Sequence, residues 1–547
     1  MIDCDPRDIA IKSFFLGPQS ENADWLRRKW VEILDNWIAW RNSRFPNDGH
    51  SISNEDRECV AFQESIGRMD QALSEILKDL EGETPKFTPR YIGHMVSEVS
   101  MPALMGHICA LLHNPNNTSR EVSRVTSRLE EEAIADLATM IGFSKAASGH
   151  FTSGGTLANF EALWRSIGRL NRVLNEQHGI SLLGLGPWHF ADRYLEITGQ
   201  KFQAPVVLVP NNKHFSWEKA VSLMGLGDEG FWPVELDDQG RLSIHALRAQ
   251  IEKAISEGRP ILMAVSVAGT TEMGEIDPIE QVQLLIEEYR ERGIDIWHHV
   301  DAAFGGYYTS LLNDQELAQK ISNSVQVSLA AIARADSVTL DPHKLGYVPY
   351  ACGAFIARDD EHYRTRNFSA AYLKNNNQSR WSYTLEGSRS GAGVTAVWLA
   401  NRTLGLDGRG YGRLLAKGIE AREQMHVELG RQIPDYLPVL PSDLNIICFS
   451  IASRGSKLSV TNERTEKLFS HFEASPNFSV SKTVLDVKAY KLLIDRLARE
   501  RDIVLDCAKW MQLRLVLMNP FITSKESAVD LVQEFVNELR LANSVMT

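Results

Sequence analysis

The chain has 547 residues, 44% of them hydrophobic and 23% charged, and 70 Asp and Glu against 58 Lys and Arg give it a formal net charge of −12. That is the balance of a globular protein too long for one simple core, and its acidity argues against nucleic acid or an anionic membrane as partner. No apolar run approaches the roughly 20 residues of a span, Met1-Ile2-Asp3-Cys4-Asp5 has no secretory pattern, and six scattered cysteines without a Cys-x-x-Cys pair suit reduced thiols in a cytoplasm rather than disulfides or a metal site.

Residues 1 to about 115 read as helical. Trp25–Trp40 and Ala61–Leu80 carry apolar residues at helical spacing, and Met101–Leu112 is strongly apolar. Thr126–Ile141 opens the next region. There, Thr152-Ser153-Gly154-Gly155-Thr156 leads into an amphipathic stretch, Leu157–Leu170. Glycines ahead of a helix free backbone amides to converge on an anion, and the helix dipole favours negative charge at that end. Gly155 and the Thr156 hydroxyl are therefore candidates for a phosphate cradle. After a predicted strand, Ala204–Val209, His214 stands in a loop before a helix, where an imidazole can stack on a flat ring.

Further β-rich runs follow at Ile261–Val267, Ile294–Val300, Ser337–Leu340 and Gly353–Ala357, alternating with helical stretches. This alternation predicts βαβ units and a mostly parallel sheet between about 116 and 405. The remainder, 406–547, opens with a long helical pattern. It then gives strands at Leu444–Ser450 and Leu513–Met518 and a terminal helix over Lys525–Leu541.

The chemistry concentrates in two segments. His299-Val300-Asp301-Ala302-Ala303 puts Asp301 at the carboxyl end of a strand, where open α/β sheets bind their ligands. Asp341-Pro342-His343-Lys344 puts Lys344 just beyond another strand. A lysine held in a dry site becomes a nucleophilic amine suited to a Schiff base with an aldehyde cofactor. Pyridoxal phosphate needs such an amine, and it also needs an acid to keep its pyridine nitrogen protonated so that the ring accepts electrons. Ala303 is small enough to let a flat ring lie against the backbone. Taken singly, Asp301 also reads as a helix N-cap, and Lys344 reads equally as a surface lysine after a turn. Together they point to the cofactor.

These residues resemble the pyridoxal-phosphate-dependent amino-acid decarboxylases of the glutamate/aromatic group, nearest to the bacterial tyrosine decarboxylase branch. The resemblance spans nearly the whole chain. It runs through Pro89-Arg90-Tyr91-Ile92-Gly93-His94, Lys213-His214-Phe215-Ser216-Trp217, His299-Val300-Asp301, Asp341-Pro342-His343-Lys344, Leu385-Glu386-Gly387-Ser388-Arg389 and Leu513-Arg514-Leu515. It implies an α/β, fold-type I enzyme with a mostly parallel seven-stranded sheet, a small C-terminal α+β domain, and an N-terminal helical region that packs on a partner subunit in a homodimer.

The resemblance also assigns roles. Lys344 carries the cofactor, which Thr271 and His343 contact, and Tyr372, in a Tyr-Leu-Lys context, donates the proton to the substrate carbon. Ser388 and Arg389 match a position reaching the phosphate across the dimer. Tyr91 and His94 begin the substrate pocket. Arg514, whose apolar flanks predict burial and hence an anionic partner, grips the substrate carboxylate. The implied reaction is α-decarboxylation of an aromatic, tyrosine-like L-amino acid. However, Leu505-Asp506-Cys507-Ala508-Lys509-Trp510-Met511-Gln512 holds no counterpart of the serine that the tyrosine branch places near the phenol. Aspartate or glutamate decarboxylation is the alternative. An aldehyde-forming synthase is a third reading, against which Tyr372 argues.

Overall fold

The computed structural model describes residues 5–365, 368 and 380–546. Its centre is a seven-stranded sheet of β1 (Ser148–Thr152), β2 (Val206–Pro210), β3 (Phe231–Val234), β4 (Ile261–Val267), β5 (Trp297–Asp301), β6 (Ser337–Leu340) and β7 (Gly353–Ala357), in the order β1-β7-β6-β5-β4-β2-β3. Neighbours from β6 to β3 are parallel, and β7 runs antiparallel to both β1 and β6. Every residue of β2, β4 and β5 is buried. This is why those segments read as continuous apolar runs rather than alternating ones: helices cover both faces of a parallel sheet. The expected fold class is the observed one.

The topology gathers the chemistry at one edge. Asp301 is the last residue of β5, the glycine turn follows β1, the His214 loop follows β2, and Asp341 follows β6. All stand at carboxyl ends of parallel strands. The return strand β7 closes the edge: a Cβ on Gly353 would lie 2.5 Å from the Gly154 Cα and 2.8 Å from Asp341 Oδ1, so only glycine lets the strand pass.

A second, four-stranded antiparallel sheet is formed by β8 (Tyr436–Pro438), β9 (Ile446–Ile451), β10 (Ser481–Asp486) and β11 (Lys509–Val516), ordered β10-β11-β9-β8. Chain from the N-terminal region is stitched to it: Ile92 N–H donates to Ser479 O at 2.9 Å, and Val516 N–H to Ile92 O at 2.8 Å.

Several boundaries differ from expectation: β9 spans Ile446–Ile451 rather than Leu444–Ser450, and β11 spans Lys509–Val516 rather than Leu513–Met518. The fifth strand starts at Trp297, not Ile294, because the Ile294 N–H is still given to Tyr289 O at 2.9 Å in the turn that ends the preceding helix. The terminal helix starts at Leu531, not Lys525. Asp530 caps it, its side chain accepting the Gln533 N–H at 3.0 Å, so the preceding residues stay in turns. Helices Ala23–Arg44 and Val60–Leu80 form as their spacing predicts but bury no residue. Among the described residues, no helix is long and apolar enough to cross a membrane.

Candidate active site

A cavity of about 390 Å³ opens at the carboxyl edge of the large sheet, lined among others by Gly155, Thr156, His214, Thr271, Asp301 and Lys344. The volume lies within the roughly 300–1,000 Å³ of small-molecule sites. Its floor is the start of helix Gly155–His178, whose first amides have no partner within the helix. A Cβ on Gly155 would stand 2.8 Å from Asp341 Oδ2 and 3.2 Å from the Ala303 Cβ, so a side chain there would fill the cradle.

Asp301, 5% exposed, is aimed into this cavity by a one-sided set of donors. Its Oδ2 accepts from Asn159 Nδ2 at 2.8 Å and from Trp217 Nε1 at 3.2 Å, while Oδ1 takes the Ala303 N–H at 3.3 Å. Each hydrogen bond to a charged group contributes roughly 1.5–3 kcal/mol to the stability of such an arrangement. A buried carboxylate so held, with one oxygen less engaged than the other, suits the protonated nitrogen of a pyridine ring.

Lys344 reaches the same cavity, but its surroundings are not the apolar ones that the sequence suggests. Its side chain is 20% exposed, and Nζ lies 3.1 Å from Asp341 Oδ2. His343 Nε2 stands 3.5 Å from the same oxygen, and its ring stacks on Tyr350 with centroids 4.3 Å apart. His343 Nδ1 accepts the Cys352 N–H at 3.2 Å. Burial pushes the His343 imidazole below its ordinary range, with the Asp341 carboxylate opposing.

His214 lines the cavity with its ring tautomer constrained, Nδ1 accepting the Ser216 N–H at 3.3 Å. Burial lowers its pKa against the opposing pull of Asp301, so it stays a neutral, flat surface near neutrality. Thr156 and Ala303 also line the cavity, so cradle, acid, lysine and imidazole meet in one volume. Donors, acid, amine and cleared floor fit pyridoxal phosphate.

Arg514, Tyr91 and His94 stand apart from that lining. Arg514 is 5% exposed, as its flanks predict. Its partners are main-chain oxygens rather than a free anion site: Glu272 O at 2.9 Å, Thr271 O at 2.8 Å and Gly93 O at 3.1 Å, with Ser481 Oγ at 3.2 Å. It thus ties β11 to the Thr271 loop at the cavity wall and to the Tyr91–His94 segment. One of its five N–H groups is left for another partner. Tyr91 is buried and His94 exposed. The Arg514 charge, second to burial, holds the His94 pKa down.

Ser388 is exposed, its Oγ accepting from Asn116 Nδ2 at 3.0 Å. Arg389 turns the other way, which corrects its reading as a phosphate contact. It is buried in an ion pair with Glu130 and donates to Asn117 O at 2.8 Å. Removing it from Glu130 would strand a buried carboxylate. Tyr372 lies outside the described residues.

Sequence reasoning passed over Asn159, Trp217, Asp341 and Tyr350. Two had a readable signal. Asn159 is four residues after Gly155, hence one turn on along the same helix face, and Asp341 precedes Lys344 by three residues on one turn. Trp217 and Tyr350 reach the site only through tertiary packing.

Fold and site together define a pyridoxal-phosphate-dependent enzyme of fold type I. The pyridoxal-dependent decarboxylase conserved domain matches residues 188–452. The chain is 30% identical over 509 residues to L-tyrosine decarboxylase of Levilactobacillus brevis, covering 82% of this chain and 81% of that protein. It is 31% identical over 522 residues to L-tyrosine decarboxylase of Enterococcus faecium, covering 85% of each. The crystal structure of Catharanthus roseus tryptophan decarboxylase in complex with L-tryptophan shares the fold with a TM-score of 0.65 over 95% of this chain and 98% of that one, at 16% identity. The chain belongs to the pyridoxal-dependent decarboxylase family. It is a pyridoxal-phosphate-dependent carboxy-lyase whose substrate is an amino acid.

Proposed function

We propose that the enzyme removes the α-carboxylate of an aromatic L-amino acid, with L-tyrosine as the leading substrate, and releases the amine and carbon dioxide. The observation that carries the site assignment is the convergence of Lys344, Asp301 and the Gly155 cradle on one cavity. The relatives named above support tyrosine over an acidic substrate and over aldehyde synthesis. The engagement of Arg514 with the main chain supports this too. With one N–H left, it is a poor receptor for the second carboxylate of aspartate or glutamate.

When bound, pyridoxal phosphate supplies an electron sink for the bond that breaks. Around it, Lys344 would carry the cofactor aldehyde and Asp301 would pair with the ring nitrogen. His214 and Ala303 would flank the ring. Gly155, Thr156 and His343 would hold the phosphate, with Ser388 of a second subunit as a further contact. Thr271 closes one wall, and Tyr91, His94 and Arg514 bound the substrate. Tyr372 returns the proton to the substrate carbon.

We further infer a homodimer in which the helical region 1–115 is the packing arm. Trp30, Leu34 and Ile38 on one helix and Leu73, Ile76, Leu77 and Leu80 on the other are each 44% exposed or more, a stripe too large for a lone subunit. The five described cysteines are unpaired, which suits the cytoplasm.

The test measures amine and carbon dioxide from each common L-amino acid with added pyridoxal phosphate. The expected result is fastest turnover with tyrosine. Preference for aspartate or glutamate would overturn the substrate, and equal activity of a monomer in light scattering would overturn the dimer.

A further inference from the structure

Behind Asp301 lies a chain of buried polar groups. The Trp297 Nε1–H donates to Ser337 Oγ at 2.8 Å, and Ser337 Oγ lies 2.8 Å from His299 Nδ1. His299 Nε2 lies 3.2 Å from Thr339 Oγ1 and 3.3 Å from Asn159 Oδ1. Thr339 Oγ1 donates to Asn159 Oδ1 at 2.8 Å, and Asn159 Nδ2 donates to Asp301 Oδ2 at 2.8 Å and to Ser216 Oγ at 3.0 Å. Asn159, His299, Ser337 and Thr339 are all buried to 1% exposure or less.

One proton arrangement satisfies the whole set. Asn159 must turn its amide nitrogen to Asp301, because its oxygen there would meet another acceptor. Its Oδ1 then needs donors, which Thr339 Oγ1–H supplies. Thr339 spends its single proton on Asn159, so it accepts from His299 Nε2–H. That leaves His299 Nδ1 as an acceptor for Ser337 Oγ–H, while Ser337 accepts from Trp297. Burial pushes the His299 pKa down to about 3, so the ring is neutral and has one proton to give. Every bond then points the same way, from Trp297 through Ser337, His299, Thr339 and Asn159 to Asp301. Aligned hydrogen bonds in a dry interior polarise one another.

We propose that this aligned chain, ending in Asn159, decides where the proton shared between Asp301 and the cofactor ring nitrogen sits, and that Asn159 is the positioning residue through which it acts. The donors occupy Oδ2 of the carboxylate and fix its orientation, so the shared proton is left on the ring. No proton travels along the chain. Its members shift charge toward Asp301 Oδ2 and leave Oδ1 for the cofactor. Asn159 sits one helical turn after Gly155, so the helix that begins the phosphate cradle also sets the acid. The proposal rests on the reading of Asp301 as the ring-nitrogen partner.

The experiment reads the nitrogen chemical shift of ring-labelled pyridoxal phosphate bound to the wild type and to Asp301→Ala, Asn159→Ser and Thr339→Val, with the fold checked by circular dichroism. Thr339→Val keeps the shape of the side chain and removes only the hydroxyl, so it serves even where Asn159→Ser fails to fold. The wild type is expected at the protonated position and Asp301→Ala at the unprotonated one. Thr339→Val and Asn159→Ser are expected in between, Asn159→Ser further displaced, with turnover lowered roughly tenfold or more for Asn159→Ser. If Asp301→Ala keeps the wild-type resonance, the reading of Asp301 falls and the proposal with it. If Asp301→Ala moves while the folded Asn159→Ser and Thr339→Val keep the wild-type resonance, the role of the chain alone is overturned.

Discussion

The Lys344 ammonium lies 3.1 Å from the Asp341 carboxylate, three residues back on the turn closed by Pro342. Asp341 is 2% exposed and wedged against Gly155 and Gly353. The pair holds the amine over the cradle at a defined place before any cofactor arrives. His343, 3.5 Å from the same oxygen, is the partner left to Asp341 once the amine is engaged elsewhere.

Lys344→Ala is accordingly expected to fold, because His343 remains beside Asp341. It should lose the visible absorbance of covalently held cofactor and all turnover. Circular dichroism, absorbance and carbon dioxide release measured on one sample decide it. Normal turnover in this variant would sink the assignment of the site.

Tyr372→Phe tests the proton donor. Carbon dioxide leaves before the proton is needed, so its release should persist. The amine should fall, and aldehyde, ammonia and peroxide should appear under air as the unprotonated product reacts with oxygen. If amine output stays at the wild-type rate with no aldehyde, the donor is another group, and His214 is next.

Arg514→Lys keeps a positive charge but offers three donors from one point. A single ammonium cannot reach Glu272 O, Thr271 O and Gly93 O together. A stability loss of about 2–4 kcal/mol is expected in urea unfolding. KM should also rise, because the Thr271 wall and the Tyr91–His94 segment lose their tie. Unchanged stability with raised KM would make Arg514 a substrate ligand alone.

Glu98→Gln tests a buried acid. Burial raises the Glu98 pKa to about 7, against the Gly17 and Leu16 amides that lower it, with Glu21 adding repulsion. A folded-state pKa above the unfolded one means that the protonated form stabilises the fold. That contribution is complete below the unfolded carboxylate range and is lost as pH rises through about 7. Gln does not titrate. The melting temperature of Glu98→Gln relative to wild type should therefore climb between about pH 5 and pH 8. A constant difference across that window would contradict the burial of a protonated acid.

The sequence by itself determined the sheet, the cofactor and the outline of the site. Continuous apolar runs such as Ile261–Val267 specify strands buried on both faces, and the alternation with helices specifies their parallel pairing. Gly155, Asp301 and Lys344 were legible because each sits at or just after the carboxyl end of a strand, where backbone topology alone puts it at the ligand edge. What lay beyond local pattern was decided by tertiary contact. Arg389 was read as reaching a phosphate and instead neutralises Glu130, because its direction depends on Glu130, which lies far off in sequence. The polar setting of Lys344 comes from the Asp341 carboxylate 3.1 Å away and from its partial exposure, which no strand pattern encodes. Likewise Trp217, His299 and Thr339 look like ordinary core residues in the sequence. They meet Asp301 and Asn159 only when β5, β6, the cradle helix and helix Ser216–Leu223 pack, because a side chain's hydrogen-bond partners follow from three-dimensional register rather than from local spacing.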